Sequence, residues 1–293
     1  MTPTVHMIGQ AHLDPVWLWR WTEGRAEALA TSASAVARLH EFADFHVVRG
    51  EAQVYEWIEQ EDPALFAEIC RLIAEGRWHV VNGMVVQPDM NLPQGEALVR
   101  TALLGKTYMR ERLGVDVTVA YCVDSFGHAG TLPQILKKCG FDFYVFMRPG
   151  HHEKTIPAQA FRWRGPDGSE ILTFRIPFSY ATREPNIEKK VDDTVADMPT
   201  QLADTMCFFG VGNHGGGPTV EQIKAVAELA RKRSDVHIVF SSPQAYFRAI
   251  EPRAAQLPVL DDELQMHAIG CYSLNSPFKR LYRQAECALQ HAE

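Results

Sequence analysis

Apolar β-rich runs alternate with amphipathic helical stretches along almost the whole chain, and no other feature restricts the fold as much. The runs cover residues 5–9, 45–48, 78–81, 117–123, 141–147, 207–211 and 236–241. Between them, 26–42, 64–75, 95–113, 132–139 and 220–233 repeat apolar side chains at three- and four-residue spacing, the period of a helix with one buried face. Each return from helix to strand needs a crossover, and crossovers join parallel strands. The expectation is an α/β fold with seven parallel strands, covered by helices or closed as a barrel. Residues 160–176 break the pattern. There Phe161-Arg162-Trp163 and Ile171-Leu172-Thr173-Phe174 flank the turn Gly165-Pro166-Asp167-Gly168, a hairpin that decorates the sheet. Residues 180–198 are polar and charged and read as a surface excursion.

With 293 residues, 46% of them hydrophobic, the chain can bury a sizeable core. Its formal net charge is −7 and no basic run exceeds Arg231-Lys232-Arg233, which gives no electrostatic footprint for nucleic acid or an anionic membrane. No segment approaches the roughly 18 apolar residues of a membrane span. The six cysteines are scattered, without a Cys-x-x-Cys pair, and no signal-peptide pattern follows Met1, which reads as a cytoplasmic protein with reduced thiols. A helical pattern over 278–292 runs on without a capping glycine or proline. A main domain over 1–257 is therefore expected, with 258–293 opening a second that is cut short.

In parallel α/β architectures ligands bind at the carboxyl ends of the strands, so polar residues directly after an apolar run are the ones to inspect. After the first run come His12 and Asp14, two apart in an extended segment and so on one side of it, followed by Pro15 and by Trp17, Trp19 and Trp21. A His-x-Asp pair can hold a metal, or can be a capping Asp beside a buried His. After the third run stand Gln87, Asp89 and Asn91, and after the fifth Arg148. Asp124 closes a strand too apolar to carry a carboxylate unless it is paired, bound to a cation or used as a helix cap. With His12 and Asp14 it makes a zinc-type set that leaves positions for substrate. The loop Gly212-Asn213-His214-Gly215-Gly216-Gly217 lacks the lysine of a phosphate-binding loop, and its glycines suit close approach of backbone to a bulky polar ligand. Thr219 and Gln222 have capping-box spacing. His79, His237, His151 and His152 read as structural or solvated, and His128 as a group that orients the site without binding metal.

Two of these stretches match a known family. His12-Leu13-Asp14-Pro15-Val16-Trp17 resembles the His-x-Asp-Pro-x-Trp signature of glycoside hydrolase family 38, the α-mannosidases. Val123-Asp124-Ser125-Phe126-Gly127-His128 is similar to its Asp-x-Phe-Gly-His nucleophile motif. Residues 83–93, the glycines at 215–217 and Gly270-Cys271-Tyr272-Ser273 with Lys279, Arg280 and Glu286 also match. The resemblance implies a seven-stranded parallel (β/α) barrel over 1–257 that carries catalysis, and from 258 the start of a three-helix domain. It implies a retaining exo-α-mannosidase with His12, Asp14 and Asp124 as Zn²⁺ ligands and Asp124 as the nucleophile. Zinc would grip the 2- and 3-hydroxyls of the sugar and Trp17 would stack on its ring, with Phe126, Arg148 and Asp89 completing the substrate pocket. The implied partners are mannose-containing oligosaccharides, and the full-length protein is expected to be a homo-oligomer.

The sequence departs from the family twice. Where the family's acid/base aspartate is expected, the chain reads Gly212-Asn213-His214, so the acid is His214, or a carboxyl from Asp204, Glu184, Asp261, Asp262 or Glu263, or catalysis leans on a good leaving group. The family's fourth ligand, a His of a His-Asp pair, is not found after Cys271, where only His291 occurs, and is expected past residue 293. Three ligands at most would bind zinc weakly and leave this chain alone catalytically poor. The alternatives are a metal-dependent polysaccharide deacetylase, with Asp124 as general base, and a non-catalytic sugar-binding fragment.

Overall fold

The computed structural model describes residues 2–182, 187–212, 214–265 and 267–292. The first part runs β1 (Thr4–Gln10), α1 (Trp21–Glu41), β2 (Val47–Arg49), α2 (Ala52–Glu61), α3 (Pro63–Ala74), β3 (Trp78–Val80) and α4 (Gly95–Leu113). There follow β4 (Val119–Cys122), α5 (Leu132–Lys138), β5 (Phe143–Phe146), β6 (Ala160–Arg164), β7 (Glu170–Arg175), α6 (Ile187–Ala196) and β8 (Asp204–Phe209). The remaining elements are α7 (Val220–Lys232), β9 (His237–Phe240), α8 (Pro243–Ile250), β10 (Val259–Leu260), α9 (Ile269–Ser273) and α10 (Ser276–Ala292).

The strands form two five-stranded sheets. One has the order β3-β2-β1-β8 with β9 also on β1, all parallel, and β1 lies at its centre. The other has the order β10-β6-β7-β5-β4, parallel except for the β6–β7 hairpin. The α/β class with parallel strands is as expected, but strand pairing among the described residues does not close a seven-stranded barrel. The break after β3 has a local cause. Asn82 (φ 69°) and Gly83 (φ 65°) leave the extended conformation, so a single hydrogen bond, Asn82 N to Val119 O at 2.9 Å, stands where a ladder to β4 would run. The hairpin is also no decoration: β7 pairs with β5 from Phe143↔Leu172 to Phe146↔Arg175 and sits inside the second sheet.

Both faces of each sheet are covered, which explains why the strands read as continuous apolar runs. In β4 and its flanks, Val119, Tyr121 and Val123 pack with Ile8, Val145, Phe174 and Phe208 in an inner cluster. Ala120 and Cys122, on the alternate side, join the outer cluster beneath the helices with Tyr144, Phe146 and Phe209. Helix α7 carries the expected capping box: Gln222 N donates to Thr219 Oγ1 and Thr219 N to Gln222 Oε1, each at 3.2 Å. Helices α2, α6 and α8 are additions to the sequence reading. Within the expected surface excursion, α6 buries Ile187, Val191 and Thr194, a spacing of four and three diluted by five charged neighbours. The chain past residue 257 stays attached to the second sheet through β10 on β6 and through Leu264, which is fully buried and bridges to His128. No helix among the described residues is long and apolar enough to cross a membrane.

His128 shows how burial fixes protonation. Its Nδ1 accepts from Tyr144 Oη at 2.7 Å, which leaves Nε2–H to donate to the Arg148 carbonyl at 2.8 Å, a neutral tautomer. Burial pushes its pKa down to about 3, and burial together with neighbouring His46 pushes His79 to about 4. Unfolded imidazoles titrate near 6.5, so between pH 6.5 and 3 the unfolded chain binds more protons than the native one. This part of the stability is complete above pH 6.5 and is lost as pH falls through the window. We expect the urea midpoint to drop from pH 7 to pH 4 and His79→Gln to flatten part of that slope; a midpoint independent of pH in this range would contradict the assignment.

Candidate active site

The carboxyl ends of β1, β3, β4, β5 and β7 converge on a cavity of about 670 Å³. Its lining includes His12, Asp14, Trp17, Asp89, Asp124, Phe126, Arg148 and Tyr180, so seven of the eight residues singled out from the sequence meet there. The exception is His214.

His12, 5% exposed, is the buried centre of the group. Its Nε2 lies 3.6 Å from Asp14 Oδ1 and 3.7 Å from Asp124 Oδ2, and the three donor atoms all stand within 4.8 Å of one another. Neither ring nitrogen of His12 has a hydrogen-bond partner among the described residues. Orphaned polar atoms at this depth are rare and costly, and two on one ring beside two carboxylates are what a cation site looks like without its ion. Burial works to lower the His12 pKa, but the carboxylates of Asp14 and Asp124 and the charge of Glu51 outweigh it, and the net shift is upward.

Arg148 organises the other oxygen of Asp124. Its Nε donates to Asp124 Oδ1 at 2.7 Å and its Nη1 to His267 Nε2 at 2.9 Å. Because Nε2 accepts, the His267 proton sits on Nδ1 and is given to Glu153 Oε1 at 2.5 Å. The Phe126 ring lies against both, 5.5 Å from the Arg148 guanidinium carbon and 5.1 Å from the His267 ring. His128 holds the Arg148 carbonyl from behind, so it does support the site without joining the triad.

Sequence reasoning passed over three contributors. His267 was missed because the search for a further histidine began after Cys271; the buried Leu264 three residues earlier was the available signal. Glu51, 4% exposed, follows β2 and accepts from Gln87 Nε2 at 2.8 Å, while Gln87 Oε1 accepts from Val123 N at 3.0 Å. Tyr180, from the stretch read as a surface excursion, sets its ring 5.3 Å from His12.

The strap after β1 folds back on itself. Trp19 Nε1 donates to the Asp14 carbonyl at 2.9 Å, and its ring stacks on His214 at 3.7 Å between centroids. Trp17 stands 60% exposed at the cavity mouth, with Val16 and Leu18 exposed beside it. His214 is thus committed to Trp19, with Nε2 3.7 Å from Glu23, away from the cavity lining. The described carboxyl alternatives are also elsewhere. Asp204 begins β8 at the far end of the sheet and accepts from His6 Nε2 at 3.1 Å. Asp261 pairs with Arg164 and Asp262 with Lys154, and with Glu263 they line a separate hollow. Glu184 and Asn213 lie outside the described residues. Asp89 is exposed at the rim, with Oδ1 accepting from Asn91 N and Leu92 N at 2.8 and 2.9 Å.

Residues 2–266 match the model of the glycosyl hydrolases family 38 N-terminal domain. The chain belongs to glycoside hydrolase family 38. Among relatives, it is 28% identical to alpha-mannosidase 2C1 of Mus musculus over 294 residues, which is 99% of this chain and 28% of that protein. The chain therefore spans a little over a quarter of the length of the curated relatives it matches. An alpha-mannosidase of Enterococcus faecalis superposes with a TM-score of 0.78 at 18% identity, covering 89% of this chain and 31% of the other. A polysaccharide deacetylase fold from Mycobacterium smegmatis gives 0.58 at 11% identity over 88% of this chain and 93% of that one, a likeness of fold alone. The His-x-Asp-Pro-x-Trp and Asp-x-Phe-Gly-His stretches both reach the cavity, whereas the glycines at 215–217 and residues 270–286 do not line it.

The strap depends on one glycine. A Cβ at Gly24 would stand 2.1 Å from the Pro15 carbonyl oxygen, well inside contact distance. Gly24→Ala must push the strap off α1, and we expect it to cost about 1–3 kcal/mol in a denaturation experiment. A stability equal to wild type would show that the strap does not rest on α1 in solution.

Proposed function

We propose that this chain carries the nucleophile and metal-binding half-site of a retaining, zinc-dependent exo-α-mannosidase that acts on terminal mannosyl residues of glycans. The observation that carries this reading is the buried His12 ring, partnerless at both nitrogens, between the carboxylates of Asp14 and Asp124 in the wall of a sugar-sized cavity. One imidazole and two carboxylates are a fitting donor set for zinc, with positions left for substrate. The His267 imidazole, with Nε2 accepting from Arg148 and Nδ1 donating to Glu153, serves to orient Arg148 and is not a donor to the ion. When bound, the ion supplies a fixed double positive charge at the floor of the cavity.

The chain's own residues do the rest. Arg148 holds Asp124 Oδ1 and so fixes the carboxylate in one orientation. Asp124 then attacks the anomeric carbon, the bond to the aglycone oxygen breaks, and water later releases the sugar from the ester. Trp17 offers its exposed face to the sugar ring at the mouth, and Phe126 packs against the Arg148 guanidinium. With His214 stacked on Trp19, no histidine other than His12 lines the cavity among the described residues, and the reading leans on leaving-group ability.

Zinc added to the metal-free chain should raise its melting temperature by mass action, and His12→Ala should abolish the rise. The loaded protein should hydrolyse aryl α-mannosides, faster for more acidic phenols. A fluorinated mannosyl fluoride should leave a mannosyl adduct on the peptide containing Asp124, and Asp124→Ala should lower turnover by about 10⁴-fold or more. Turnover that survives Asp124→Ala sinks the nucleophile assignment. Release of acetate from acetylated glycans, with aryl mannosides untouched, favours the deacetylase reading instead.

A further inference from the structure

Lys190 is a buried ammonium that the reaction above does not use. It projects from α6 and makes four hydrogen bonds, to Ser179 O at 2.7 Å, Ala181 O at 3.1 Å, Thr182 Oγ1 at 3.1 Å and Phe208 O at 2.5 Å. None of these partners is a carboxylate. Burial pushes its pKa down to about 8, so the charged form is held at some cost. Four oxygens around one nitrogen favour the ammonium, with three protons, over the amine, with two.

What the ammonium gathers is the segment that lines the cavity after β7. Ser179, Tyr180 and Ala181 all face it. This segment belongs to neither sheet, so its backbone groups need other partners. Gln10 Nε2 donates to Tyr180 O at 3.2 Å and Gln222 Nε2 to Thr182 O at 2.6 Å, while Thr182 N donates to Gly210 O at 2.7 Å. Those contacts secure Tyr180 and Thr182. The carbonyls of Ser179 and Ala181 are left to Lys190, which ties both to Phe208 in β8 and so fixes Tyr180 beside His12 from either side in sequence.

We propose that Lys190 is a positioning residue of the sugar cavity: its ammonium pins the carbonyls flanking Tyr180 to β8 and thereby sets the wall that faces His12. Removing the charge while keeping the volume, as Lys190→Met does, takes the donor from the Ser179 and Ala181 carbonyls and leaves Phe208 O with Thr182 Oγ1 at 3.3 Å, and the wall relaxes while the triad keeps its own supports from β1 and β4. The inference deepens the mannosidase reading for kinetics, yet its structural half can be read without turnover. Hydrogen exchange should be about tenfold faster across 179–182 in Lys190→Met than in wild type, with the amides of β1 unchanged, the scale expected when charge-assisted hydrogen bonds are lost. In the zinc-loaded protein KM for an aryl α-mannoside should rise about tenfold and kcat change by less than about threefold. Lys190→Ala should behave likewise, and ethylammonium in the buffer should restore part of its KM. A purely structural role predicts kcat falling with the folded fraction, KM unchanged and no rescue. That pattern overturns the proposal, as does unchanged exchange at 179–182. Altered exchange together with a wild-type chain that forms no mannosyl adduct on Asp124 overturns the mannosidase reading and leaves the pinning role standing.

Discussion

Two carboxylates and an imidazole cannot share a buried corner without something to balance them. Asp14 and Asp124 both stand within 3.7 Å of the His12 Nε2, and the ring offers no hydrogen bond to either. Like charges this close repel, and the buried His12 side of the corner limits how far water screens them. A polypeptide has three responses: protonate, pair or bind a cation. Arg148 satisfies Oδ1 of Asp124, Trp19 satisfies only the Asp14 carbonyl, and the His12 side of both carboxylates remains open. The surrounding construction follows from keeping that corner intact. β1 pairs with β2, β8 and β9, β4 delivers Asp124 from the other sheet, and the corner exists only because the two sheets bring their carboxyl ends together.

The support around the corner is built in layers. Gln87 joins Glu51 to the Val123 amide, so the end of β4 is fixed by a buried carboxylate from β2's side. His128 grips the Arg148 carbonyl while His267 and Glu153 orient its guanidinium, so the backbone and the side chain of one residue are anchored by different histidines. Such outer contacts decide ligand and nucleophile orientation as much as the inner groups do.

Much of this was legible in the sequence. Strands with both faces buried read as unbroken apolar runs, so β1, β4, β5 and β8 were plain, and polar residues at their ends pointed to the cavity. Asp124 stood out because an apolar strand does not end in a carboxylate by default. What the sequence hid were properties of three-dimensional arrangement. β7 looked like half of a surface hairpin because its parallel partner β5 lies 27 residues earlier between Phe143 and Glu170. Closure failed at Asn82 and Gly83, where two left-handed residues are invisible to hydrophobic periodicity. Helix α6 was masked by its charged face. His214 carried the right chemistry in a suggestive loop, and only the fold shows its ring spent on Trp19.

The Trp19–His214 stack has an evolutionary reach beyond the two residues. The strap after β1 and the glycine-rich loop after β8 arise far apart in sequence, yet one close ring contact, tilted by 33°, makes them a single mechanical unit. Exchange of either loop alone, by recombination or by grafting, would strip the other of its support. New cavity mouths on this scaffold are therefore expected to arise by paired replacement, with the two loops inherited together.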